Sequence, residues 1–126
     1  MKLACIDVGL KRIGLAICLA SNIVTPQSAI LRKNRDQAAR DINTFLKEWE
    51  IEKLIVGVPI ANEEMQRRIQ HFVSLLNLTI PYEFCEENMS SIEAEDMIKG
   101  EIKYKRDGRV DSLAAKIILE RFLAKK

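Results

Sequence analysis

The sequence predicts an α/β domain on a mixed five-stranded sheet, a three-strand meander plus two parallel strands, flanked by helices. Three observations predict it. The first thirty residues hold three short apolar runs separated by brief polar turns, as in consecutive hairpin-linked strands. From residue 35 onward, segments with apolar residues at steps of three and four alternate with short β-branched runs, the pattern of strand-helix-strand crossovers. The chain has 126 residues, 48% of them hydrophobic and 30% charged, with five Gly and three Pro. That suffices for one core and one domain over residues 1–126, and excludes a two-domain enzyme, collagen or a low-complexity chain.

The elements follow in order. Leu3-Ala-Cys-Ile-Asp-Val8 reads as a strand buried on both faces, with Asp7 as its anomaly. A second strand is expected over Ile13–Ala20 and a third over Ile23–Leu31. Between Arg35 and Trp49, residues Ala38, Ile42, Phe45, Leu46 and Trp49 fall on one helical stripe, so Trp49 is expected in the core. Lys53–Pro59 is a short buried strand closed by a proline that cannot donate to a ladder. A second helix carries Met65, Ile69, Phe72, Val73 and Leu76, and a fifth strand is expected over Ile80–Cys85. Ser90 and Glu93 have capping-box spacing and predict a helix to about Lys99. A last helix is expected from about Asp111 to Ala124, packing Leu113, Ala114, Ile117, Ile118 and Phe122. The order is then β-β-β-α-β-α-β-α-α, with helices for both sheet faces.

Charge narrows the possible functions. Twenty Lys and Arg against eighteen Asp and Glu leave +2, so affinity for phosphate must come from charge distribution, and a histone-like protein is excluded. Cys5, Cys18 and Cys85 are far apart, odd in number and set in apolar runs, which predicts buried thiols in a reducing, cytoplasmic setting. No apolar run approaches the ~20 residues of a membrane span, and the N-terminus lacks the features of a secretory signal.

Several acids stand where packing alone would not put them. Asp7 lies within the first strand, Glu86 and Glu87 close the fifth, and Asp111 opens the last helix. If strands one, four and five run side by side, their carboxyl ends share an edge where ligands commonly bind. Clustered carboxylates repel and resist desolvation, so a convergent group calls for a hard cation such as Mg²⁺, which implies phosphodiester hydrolysis. Taken singly, Asp111 reads as a helix-start acid, Glu86 and Glu87 as solvated strand-end charges, and Asp7 as a partner for Lys11 or Arg12. Lys11 and Arg12, in the turn after Asp7, are placed to meet phosphates. Residues 99–109 hold Lys99, Lys103, Lys105, Arg106 and Arg109 against Glu101 and Asp107 and read as a basic loop. His71, the sole histidine, falls mid-helix, and no Ser or Cys stands at a spacing that would make a histidine-based hydrolase.

Four segments together resemble a known family. Asp7-Val-Gly-Leu-Lys-Arg-Ile-Gly-Leu-Ala16, Val56-Gly-Val-Pro59, Glu86-Glu-Asn-Met-Ser-Ser-Ile-Glu-Ala94 and Val110-Asp-Ser-Leu-Ala-Ala-Lys-Ile-Ile-Leu119 are similar to the successive motifs of the bacterial YqgF-type proteins, pre-16S rRNA nucleases also described as Holliday junction resolvases. The resemblance implies a ribonuclease H-like fold. It implies Asp7, Glu87 and Asp111 as ligands of Mg²⁺ or Mn²⁺ and as catalytic residues, with Glu86 assisting where the family usually has Asp. Asn88 replaces the usual Arg, and the loop after Pro59 is shorter. Lys11, Arg12, Lys103, Lys105, Arg106 and Arg109 are the expected contacts to nucleic acid, with precursor rRNA, branched DNA and precursor ribosomal particles as partners. Junction cleavage would require a homodimer, whereas rRNA trimming can be done by a monomer. Two further classes share parts of this pattern. An actin-like kinase half-domain shares the Asp-x-Gly turn but needs a second domain, and a non-catalytic RNA-binding assembly factor would keep the fold without the chemistry.

Overall fold

A computed structural model describes residues 1–87 and 109–125. The strands are β1 (Leu3–Val8), β2 (Arg12–Cys18), β3 (Val24–Leu31), β4 (Lys53–Pro59) and β5 (Tyr82–Glu87). The helices are α1 (Arg35–Glu48), α2 (Glu63–Leu75) and α3 (Arg109–Ala124). The sheet order is β3-β2-β1-β4-β5. β1 pairs antiparallel with β2, and β2 with β3, while β4 runs parallel to both β1 and β5. The mixed sheet and the adjacency of strands one, four and five are as the sequence predicted.

Local chemistry sets the ends of these elements. β2 stops at Cys18, before the expected Ala20, because Ser21 and Asn22 take φ of 58° and 57°. The Ile23 amide then closes the turn on the Ala20 carbonyl at 3.3 Å. Two successive left-handed residues give a tight hairpin whose twist matches the strands it joins. Asn34 caps α1 through the Gln37 amide at 2.8 Å, and Gln37 answers with its side chain, completing a capping box. Asn62 caps α2 through the Met65 amide at 3.0 Å. β5 is shifted by two residues from the expected span, so Glu86 and Glu87 are its last paired residues, opposite Val58 and Pro59.

Each sheet face carries its own apolar layer. Ala4, Ile6, Val8, Leu54 and Val56 meet α1 and α2 through Ala38, Ile42, Leu46, Ile69 and Phe72. Leu3, Cys5, Ala16, Ile55 and Cys85 meet α3 through Ala115, Ile118, Leu119 and Phe122. Period-two alternation along β1 divides its residues between these layers and sends Asp7 to the α3 face with Leu3 and Cys5. A fully buried Ile or Leu in either layer contributes roughly 1.5–3 kcal/mol over an exposed one. Trp49 caps α1 and is only half-buried, packing on the margin of the first layer and not within it. The expected helix over 90–99 lies outside the described residues, and among those described no helix is long and apolar enough to cross a membrane.

Candidate active site

Asp7 sits near the carboxyl end of β1, with Gly14 of β2 and Gly57 of β4 as its register partners on either side. Neither neighbour has a side chain, so α3 can approach the sheet closely at this level. The approach is extreme at Gly14, where a Cβ would fall on the Asp111 backbone carbonyl. The first turn of α3 therefore rests on the strand next to Asp7, and Asp111 is brought to it from the far end of the sequence.

Three interactions fix that turn. Arg12 Nε donates to Asp111 Oδ2 at 3.1 Å in a partly buried ion pair. Ser112, 3% exposed, accepts from the Leu15 amide at 3.3 Å, at the point where the β2–β3 register shifts. Gly9 N donates to the Arg12 carbonyl at 2.9 Å, closing the turn that carries Arg12 back toward α3. Asp7 itself has no ion-pair partner among the described residues. Its carboxyl is pushed up from the ordinary 3.8 to about 7, first by burial and then by the charge of Asp111. The guanidinium of Arg12 thus neutralises Asp111 and leaves Asp7 uncompensated.

Such a pair is a receptive environment for a hard cation, since carboxylate oxygens and a deficit of positive charge are what Mg²⁺ and Mn²⁺ require. Comparison with known proteins gives the family and the fold. Residues 1–125 match the family model described as RuvX, Holliday junction resolvase. The chain belongs to this family. A Sulfurovum sp. (strain NBC37-1) protein that carries the name pre-16S rRNA nuclease is 64% identical, covering 98% of this chain and 99% of the relative. A Sulfurimonas denitrificans protein of the same name is 51% identical, covering 100% and 99%. Among solved structures, Thermus thermophilus RuvC in complex with a Holliday junction substrate superposes with a TM-score of 0.64 at 15% identity, covering 99% of this chain and 95% of that one. The fowlpox virus Holliday junction resolvase gives 0.59 at 14% identity, covering 99% of both. At such identities these likenesses establish the fold, which is the ribonuclease H-like one expected.

Within this RuvX-family chain the sequence-predicted residues are distributed as follows. Asp7 and Asp111 are neighbours on the α3 face. Position 87 stands opposite Pro59, two residues beyond the level of Asp7 and two strands away. Glu86 is exposed and has the parity of Phe84, whose ring packs in the α1/α2 layer. Among the described residues no three His, Cys, Asp or Glu side chains gather into a cage. Lys11 is exposed at the turn, whereas Arg12 is engaged by Asp111. Lys103, Lys105 and Arg106 lie outside the described residues, and Arg109 is the first residue of α3. His71 is exposed, 3.5 Å from Arg35 Nη1. All three cysteines are buried free thiols.

Sequence reasoning missed Gly14, Gly57 and Ser112. The signal for the glycines was present, because a glycine inside a buried strand marks a close approach of backbone or ligand. For Ser112 no local signal existed, as its role depends on a strand amide 97 residues away.

Proposed function

We propose that this chain is a divalent-metal-dependent nuclease that hydrolyses phosphodiester bonds in maturing the 5′ end of precursor 16S rRNA, in the cytoplasm. The reading rests on one observation. Asp7 and Asp111, 104 positions apart in the numbering, form a carboxylate pair at the carboxyl edge of the parallel strands, with Asp7 uncompensated. Asp7, Asp111 and Glu87 would hold Mg²⁺ or Mn²⁺. Of the two acids closing β5, position 87 shares the parity of Cys85 in the α3 layer and Glu86 does not, so the ligand role goes to Glu87. The names of the relatives support the rRNA substrate.

A bound divalent cation supplies charge neutralisation and Lewis-acid activation of the phosphodiester. The chain's own residues prepare for it. Burial keeps the Asp7 carboxyl out of bulk water, so a cation that displaces its proton meets a charge little screened by solvent. Arg12 holds Asp111 in one orientation and prevents the two acids from repelling α3 off the sheet. Lys11, exposed one residue earlier, meets the phosphate backbone as it approaches. The description of the family favours four-way DNA as a second substrate, and cutting a symmetric junction would require two copies of this chain.

The test is cleavage of a precursor 16S rRNA fragment and of a synthetic four-way junction, with Mg²⁺, with Mn²⁺ and with chelator, for the wild type beside Asp7→Asn. Cation-dependent cutting of the rRNA by the wild type alone is expected. Failure to cut either substrate, or equal cutting by the variant, overturns the reading.

A further inference from the structure

On the sheet face opposite Asp7, a concave surface opens beside the β1–β2 turn. It encloses about 240 Å³, with Arg32, Arg35, Arg68 and His71 at its rim and Ile69 and Phe72 on its floor. Val8, next to Asp7 in β1, lines its inner end. Neither the three arginines nor His71 belongs to the site described above.

The charge balance of this cleft is unusual. Arg32 lies 5.0 Å over the Phe72 ring and donates to the Gly9 carbonyl at 2.7 Å. Neither it nor Arg35 has a carboxylate partner among the described residues. Burial and then the nearby Arg35 both push the Arg32 guanidinium below its ordinary value, as expected where positive groups crowd without an anion. Arg68 has one acid, Glu64, at 2.9 Å in an exposed pair. Planar guanidiniums on an apolar floor suit a phosphate with its attached sugar and base, by bidentate donation at the rim and contact below.

We propose that this cleft binds the phosphate backbone of nucleic acid, carrying the substrate strand from Asp7 around the β1–β2 turn to the α1/α2 face. The inference rests on the nuclease reading and adds a second contact region to it. Arg32 anchors the turn through the Gly9 carbonyl, so the informative substitutions are at exposed Arg35 and Arg68.

The experiment measures binding of a labelled single-stranded precursor rRNA fragment by fluorescence anisotropy across a salt series. The chain carries Asp7→Asn to prevent cleavage, with and without Arg35→Ala plus Arg68→Ala. A parallel chain carries Arg40→Ala plus Arg67→Ala, two exposed arginines outside the cleft. The cleft variant is expected to bind about 10-fold more weakly and to lose roughly 1.4 from its log-log salt slope, two contacts at ~0.7 each. In a cleavage-competent background KM rises while kcat holds. Unchanged affinity and slope, or an equal loss in the parallel chain, overturns the cleft alone if the wild type still cuts RNA. Absence of RNA binding by every chain, with no cutting, overturns both readings.

Discussion

Arg12 Nε donates to Asp111 Oδ2 at 3.1 Å across 99 residues of sequence, so the cation of the first hairpin is spent on the acid of the last helix. This guanidinium neutralises the Asp111 carboxylate beside which Asp7 is buried. In Arg12→Ala the Asp111 carboxylate loses its counter-charge and acts on its neighbour unscreened, so Asp7 is expected to titrate above its present value of about 7. Carboxyl-carbon NMR titration of metal-free protein reads this directly. Loss of the partly buried pair costs about 1 kcal/mol in denaturant unfolding. A titration that does not move would show that Arg12 leaves the pair unscreened.

Asp7→Asn separates stability from activity. In metal-free protein the folded state keeps a proton on Asp7 between pH 3.8 and about 7, where the unfolded chain has released it. Stability therefore falls as pH rises through that window, by up to about 4 kcal/mol at ~1.4 kcal/mol per pH unit. The asparagine variant escapes this loss. It is expected to melt above the wild type at pH 8, with the gap closing by pH 4, while cleavage disappears. Mg²⁺ should raise the wild-type melting temperature at pH 8 and leave the variant unmoved. A variant less stable than wild type at pH 8 would contradict the burial argument.

The two glycines flanking Asp7 should respond unequally to alanine. At Gly14 the new methyl meets the Asp111 backbone carbonyl, which cannot rotate aside. At Gly57 it meets the Ile118 Cδ1 atom at 2.5 Å, the movable end of a side chain. Gly14→Ala is expected to cost about 3 kcal/mol or more and to abolish cleavage by lifting the start of α3. Gly57→Ala should cost about 1 kcal/mol and retain activity. Reversal of that order in chemical denaturation would refute the placement of α3.

Ser112→Ala removes the acceptor of the buried Leu15 amide. An unsatisfied buried donor costs about 1–3 kcal/mol, and that loss is expected in thermal unfolding. Ser112→Thr keeps the hydroxyl and should recover part of it. In hydrogen exchange the Leu15 amide should be the one whose protection falls most; an unchanged Leu15 rate would mean that Ser112 does not hold the bulge.

The pairing of β1 with β2 followed from apolar runs and a short turn, since hairpin contacts are local in sequence. The end of β2 was misplaced by two residues because Ala20 is as apolar as a strand residue, while the left-handed pair Ser21 and Asn22 is a conformational fact. Trp49 fitted the helical stripe of α1, yet it closes the helix and sits at the edge of its layer. Periodicity records direction around an axis and does not record where the partner layer stops.

The sequence by itself determined the five strands, the three helices among the described residues, both apolar layers and which acids were out of place. An apolar run needs only its own pattern to declare itself. Only the tertiary structure decided that Arg12 belongs to Asp111, that Ser112 accepts from the Leu15 amide of a distant strand, and that two glycines open the sheet for α3. Those choices depend on distances between segments far apart in the chain, which packing alone sets.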